Sequence, residues 1–288
     1  MNTDFIDTHV HFNDSQHPTL EWNWLAPGVL HPTLGDIEEM KHRRYTSEGL
    51  RAESRFMRVR KIVHVQAAIG SRDPVDESAW LQAMADETGW PNAIVAYSRL
   101  SDPGVGTELE RHCEFANVRG IRDYGAERDL MTRDFQRGYK LLAKFGLVHD
   151  LGCDLESMPM ARELAITFPD TTVVLEHTGF PAERGVEYLG RWRKAMGELA
   201  EAENVVCKIS GLGMRDPHWS VESLRPWVQG AIEEFGPERC FFGTNWPVDR
   251  LYSSYTDLIR AYCELIDELT AAEQEAMLLR NAERVYRI

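Results

Sequence analysis

Thr171-Thr172-Val173-Val174-Leu175-Glu176-His177 is the stretch that decides how this sequence folds. A short run of β-branched and apolar residues reads as a strand. A strand with one wet face alternates apolar and polar positions, whereas this run is apolar at successive positions. That pattern belongs to a strand buried on both faces, as in a parallel sheet covered by helices. The run closes on His177, just before Thr178-Gly179, so a polar group stands where the strand ends.

The same unit recurs in both directions. Lys61-Ile62-Val63-His64-Val65-Gln66-Ala67, Asn92-Ala93-Ile94-Val95-Ala96-Tyr97 and Val118-Arg119-Gly120-Ile121-Arg122-Asp123-Tyr124 precede it. Leu147-Val148-His149-Asp150-Leu151 lies directly before it, and Asn204–Gly211 and Arg239–Asn245 follow. Helical patterns lie between these runs, around residues 80–85, 109–115, 135–145, 156–168, 188–203, 221–235 and 255–269, with a shorter one at 47–58. Thr270 with Glu273 forms a capping box for a last helix ending near Arg280. With Phe5-Ile6-Asp7-Thr8-His9-Val10-His11 as the first strand, the chain holds about eight strands, nearly all followed by a helix. The expected class is α/β, a single (β/α)8 TIM barrel, with residues 1–288 as one domain. An open doubly wound sheet is the rival. Neither Gly-x-Gly-x-x-Gly after the first strand nor a Walker-type phosphate loop is present, which weakens its nucleotide-binding forms.

Composition narrows the function. The chain has 288 residues and a net charge of −14, from 32 Lys+Arg against 46 Asp+Glu. No basic run is present, so neither nucleic acid nor a membrane surface is an expected partner. Five scattered Cys without Cys-x-x-Cys spacing suggest reduced thiols and a cytoplasmic setting. The first strand begins too close to the N-terminus to leave room for a signal peptide. Oligomeric state is not readable here, and a homo-oligomer stays open. Residues 12–48 hold Trp22, Trp24 and several Pro and Gly. A loop this long inside a domain is usually functional, and it is expected to cap a pocket with Trp24 as an apolar wall.

In such barrels the site forms at the C-terminal ends of the strands. Those ends carry His9 and His11, Gln66, Arg122, His149 and Asp150, His177, Lys208 and Ser210, and Asn245, with Asp249 close behind. His9 and His11 are two apart on a strand and share a face, so they can grip one ion or one substrate. His64 is mid-strand and reads as structural. Lys208 sits in a buried strand, where a Lys needs a purpose. Imidazoles suit metal binding or general-base work near neutral pH. Arg122 and Lys208 suit an anionic substrate or an oxyanion. No Gly-x-Ser-x-Gly occurs, so direct attack by water is expected rather than an acyl-enzyme.

Ile-Asp-Thr-His-Val-His, Arg-Gly-Ile-Arg, Leu-Glu-His-Thr-Gly-Phe-Pro, Lys-Ile-Ser-Gly and Phe-Gly-Thr-Asn-Trp-Pro-Val-Asp together resemble the amidohydrolase-related family. Within it the chain is most similar to the lactonase branch, which includes 2-pyrone-4,6-dicarboxylate lactonase and sugar lactonases. The resemblance runs from residue 4 to the C-terminus. It implies a (β/α)8 barrel that hydrolyses an ester carbonyl at its C-terminal face. His9, His11 and His177 match the family's histidines, and Arg122 matches an Arg that holds a substrate carboxylate. The position that usually carries a catalytic Asp on the last strand is Asn245 here, and Asp249 is the nearest replacement. One divalent ion such as zinc on His9, His11 and His177 and a metal-free site both stay open.

The expected activity is opening of a sugar-acid or carboxylated lactone. His177 or Asp249 would activate water, His9 and His11 would polarise the carbonyl, and Arg122, Lys208, Trp24, His149 and Asp150 would contact a small, anionic substrate. A metal-dependent decarboxylase or amide hydrolase on the same barrel is one alternative. A small-molecule binding protein without catalysis, motivated by Asn245, is the other.

Overall fold

Eight parallel strands pair in chain order and close on themselves in this computed structural model, which describes residues 3–41 and 44–288. They are β1 (Asp4–Val10), β2 (Arg58–Val65), β3 (Ala93–Tyr97), β4 (Val118–Arg122), β5 (Val148–Leu151), β6 (Val173–Leu175), β7 (Val205–Ile209) and β8 (Cys240–Phe242). The seam between β8 and β1 is shut partly by side chains. Thr8 Oγ1 donates to Phe242 O at 2.7 Å. Asp7 accepts from the Thr244 amide at 2.8 Å, from its hydroxyl at 2.6 Å and from the Tyr255 hydroxyl at 2.9 Å. The His11 amide donates to Trp246 O at 2.7 Å beyond the strand end. The expected (β/α)8 barrel is therefore the observed one.

Helices wrap the strands from outside. α1 (Ser47–Glu53), α2 (Val75–Thr88), α3 (Val105–His112), α4 (Arg133–Phe145), α5 (Met158–Thr167), α6 (Val186–Ala200), α7 (Val221–Phe235) and α8 (Tyr255–Leu265) follow in order. Local chemistry starts and stops them. Thr132 caps α4 by accepting from the Phe135 amide, and Gly146 ends it in the left-handed region. Phe135, Gly138, Tyr139 and Leu142 form its buried stripe at helical spacing. Gly138 is needed there, since a Cβ would lie 2.0 Å from Leu100 O. α7 spans the expected residues, started by the Ser220–Ser223 capping box.

The barrel interior is a packed layer. Val63, Val65, Ala93, Val95, Val148, Val174, Val206 and Phe241 fill it, together with Val285 and Tyr286. Those last two correct the sequence expectation. The Thr270–Glu273 capping box is present, but the helix does not end near Arg280. α9 (Ala271–Glu275) passes through a π-turn at Ala276–Arg280 into α10 (Asn281–Tyr286). The Asn281 amide ties this turn to Pro237 O at 2.7 Å and Cys240 O at 2.8 Å. Tyr286 thereby enters the barrel from the end where the strands begin.

Residues 12–48 carry little regular structure among the described positions. There is a two-residue ribbon, Asn13–Asp14 with Arg44–Tyr45, and single turns at Asn23–Leu25 and Glu38–Met40. Indole donors fix the segment, with Trp22 Nε1 reaching Phe12 O at 2.9 Å and Trp24 Nε1 reaching Ala67 O at 2.8 Å. Among the described residues, no helix is long and apolar enough to cross a membrane.

Candidate active site

A cavity of about 410 Å³ opens at the C-terminal ends of the strands. His11, Gln66, Arg122, His177 and Asn245 line it from the barrel, and Trp24, His31 and Leu34 line it from the 12–48 segment. That segment contributes one wall of the cavity. Trp24 stands 6.4 Å from His11, ring to ring and edge-on.

Three imidazoles gather at the cavity floor. His9 Nε2 lies 3.1 Å from His11 Nε2, and the His9 and His177 ring centres are 4.5 Å apart. His11 and His177 face the cavity, while His9 is fully buried behind them. Strand pairing explains His9 and His11, whose side chains leave the same face of β1. His177 is placed differently. β6 ends at Leu175, and His177 and Thr178 take φ of +51° in a tight turn that swings the imidazole inward. Ser210 meets His177 Nδ1 at 2.8 Å. Gly211 keeps that approach open, because a Cβ there would lie 2.5 Å from the same nitrogen.

All three rings are neutral near neutral pH. Burial pushes His11 down to about 3, helped by the Arg122 charge and opposed by its hydrogen bond to Val65 O. Burial, then the neighbouring His177 and Lys208, holds His9 well below the usual imidazole range. Burial, then Arg122 and Lys208, does the same for His177. The Val65 carbonyl can only accept, so His11 Nδ1 at 2.8 Å carries the proton and Nε2 carries a lone pair.

Glu176 is the group that sequence reading missed. It is fully buried, lies 3.6 Å from His9 Nδ1 and ion-pairs with Arg122 Nη2 at 2.8 Å. Burial raises its carboxyl, and the Arg122 and Lys208 charges oppose that rise. An acidic residue inside an otherwise apolar strand was the available signal. Arg122 is in the cavity wall as expected, but its charge is already matched by Glu176.

Other expectations are corrected by geometry. Lys208 and Asp150 are fully buried below the cavity and ion-pair with each other, and Tyr286 Oη donates to Asp150 at 2.9 Å. Neither reaches the cavity surface, because both sit one layer deeper along their strands. His149 points the opposite way from Asp150, packing on Tyr139 at 5.1 Å and Phe135 at 6.1 Å against α4. Asp249 is also buried away from the cavity and accepts from Asn245 Nδ2 at 2.9 Å. Burial pushes its carboxyl up to about 8, so it is protonated near neutral pH and is no ready base for water. Asn245 itself is on the cavity wall. His64 is structural as read, accepting from the Phe12 amide at 2.9 Å.

The donor set bears on a metal. His11 presents a bare Nε2, and His9 has the Glu176 carboxylate behind Nδ1, the outer partner that ligating imidazoles commonly keep. The two Nε2 atoms lie 3.1 Å apart, close enough to share either one proton or one cation. The His9–His11 pair therefore fits two positions on a divalent ion. Among the described residues, no three His, Cys, Asp or Glu side chains converge as a ligand set.

Residues 6–288 match the amidohydrolase family. The chain belongs to that family, and it is a hydrolase of that group. A protein of Sinorhizobium fredii called uncharacterized protein y4mH is 37% identical, with 98% of each chain covered. L-fucono-1,5-lactonase of Burkholderia multivorans is 29% identical, covering 98% of this chain and 95% of that one. A crystal structure of a Burkholderia multivorans amidohydrolase with bound zinc superposes with a TM-score of 0.84 at 26% identity, covering 99% of this chain and all of the other.

Proposed function

We propose that this chain opens the ring of an uncharged lactone by direct attack of water, with His177 as general base. The observation that carries the reading is the His177 imidazole on the cavity wall, anchored and oriented through Nδ1 by Ser210. His177 receives a proton from water as the water oxygen bonds to the lactone carbonyl carbon. The ring carbon–oxygen bond then breaks, and the leaving ring oxygen takes that proton back. The product is a hydroxy acid, which ionises and acidifies the medium. Likeness to proteins named L-fucono-1,5-lactonase supports this class of substrate.

Charge supports the uncharged ring. Arg122 and Lys208 both answer buried carboxylates, so the expectation of an anionic substrate loses its two cations. Trp24 and Leu34 offer an apolar wall, and a cavity of about 410 Å³ accommodates one small ring. His9 and His11 are the residues that would hold a zinc-type ion. When bound there, such an ion supplies Lewis-acid polarisation of a carbonyl.

The test is acid release from a panel of sugar lactones in weakly buffered indicator solution, with and without a chelator. Uncharged hydroxylated lactones are expected to release acid, and His177→Asn to abolish it. Loss with chelator, restored by zinc, would assign an ion to His9 and His11. No acid from any lactone would overturn the reading.

A further inference from the structure

We propose that Gln66 is the specificity-determining residue of this site and reads the ring hydroxyls of the lactone. The inference rests on the lactone reading above and deepens it. Gln66 follows the last residue of β2 and lines the cavity, yet it is only 1% exposed. Both its Nε2 and its Oε1 are buried without a hydrogen-bond partner among the described residues. A buried amide unused at both ends costs stability, so its retention points to a ligand that supplies the partners.

The chemistry of that ligand follows from the amide. One end donates and the other accepts, side by side. A pair of ring hydroxyls, each able to give and to accept, satisfies both ends. A carboxylate would satisfy only the donor and leave the carbonyl facing like charge. An unsubstituted apolar ring would satisfy neither.

The segment around Gln66 is held rigid, as recognition of hydroxyl positions requires. The Gln66 amide donates to Val95 O at 2.9 Å. The next two amides, of Ala67 and Ala68, both donate to Glu77 Oε1 at 2.9 Å. Trp24 Nε1 holds Ala67 O from the opposite side. The residue before, Val65, holds the His11 imidazole through its carbonyl. Hydroxyl readout and imidazole placement therefore share one short stretch of backbone.

Wild type and Gln66→Leu are to be compared on gluconolactone, which carries ring hydroxyls, and on δ-valerolactone, which carries none. Gln66→Leu is expected to lower kcat/KM for gluconolactone about 100-fold, chiefly through KM, and to change δ-valerolactone turnover by less than about 3-fold. An equal effect on both lactones in a variant with unchanged Tm would overturn the inference. If Gln66→Leu does not fold, Gln66→Asn, which keeps the amide but withdraws it by one methylene, is expected to show the same substrate-selective loss in smaller measure. A second readout stands apart from turnover. Gluconolactam, which resists opening, should raise the Tm of wild type and not of Gln66→Leu. Absence of any wild-type shift would overturn the inference. Failure of wild type to hydrolyse either lactone, with that shift present, would instead overturn the lactonase reading alone.

Discussion

At Asn245 the backbone takes a φ of +57°, a left-handed conformation that Asn tolerates better than most side chains. Its side-chain amide donates to Asp249 at 2.9 Å. The nearest carboxyl, Asp249, lies one turn further on and is protonated near neutral pH. That predicts a pH effect with a definite sign. Asp249 in the fold titrates at about 8, above its ordinary 3.8, so its contribution to stability is full below 3.8 and is lost as pH rises through about 8. Asp249→Asn cannot lose a proton, so its Tm relative to wild type should climb between about pH 4 and about pH 8 and level off above. A flat difference would show that Asp249 is ionised in the fold. His177→Asn should lower kcat by about 10²–10⁴ with KM little changed, measured by initial rates. The three histidines were legible because their spacing and strand-end positions are written in the chain. The roles of Glu176, Lys208 and Asp249 were not, because depth within the barrel and the partner each one meets there (Arg122, Asp150 and Asn245) are set by the fold and not by residue type alone.

At the scale of elements, strands and helices were legible where burial and capping act locally. α7 matched its sequence reading because a capping box opens it and Gly236 closes it. β6 was read too long, since Glu176 and His177 continue the strand pattern by residue type while φ turns positive at His177. The C-terminal helix was read too short, because a π-turn has no sequence signature and its value lies in tertiary contacts. α10 supplies a test. Tyr286 Oη donates to both Asp150 oxygens, at 2.9 and 3.1 Å, inside a fully buried pair. Tyr286→Phe removes that donor without emptying the barrel and should destabilise by about 1–3 kcal/mol in denaturant titration. Tyr286→Ala should cost about 3–5 kcal/mol, the excess being the cavity it leaves. Equal costs for the two would show that the hydroxyl, rather than packing, is what this residue supplies.

The whole molecule separates its charges by depth. The chain carries −14 overall, yet the buried charges around the cavity balance, as Lys208 with Asp150 below it and Arg122 with Glu176 at its wall. Breaking such a pair from one side leaves an uncompensated charge in the barrel. Lys208→Met alone should destabilise by about 3–5 kcal/mol, and pairing it with Asp150→Leu should recover much of that loss. A double-mutant cycle by chemical denaturation checks this, and simple additivity of the two substitutions would refute the coupling. The last helix gives this layered design an order in time. All eight strands are synthesised by residue 242, but the tyrosine that completes the Asp150–Lys208 layer comes at 286. A chain cut short between Asp249 and Tyr286 owns every catalytic candidate and still lacks the floor beneath them. Synthesis therefore installs the chemistry first and its foundation last, so a prematurely terminated product carries the reactive residues on an unfinished base.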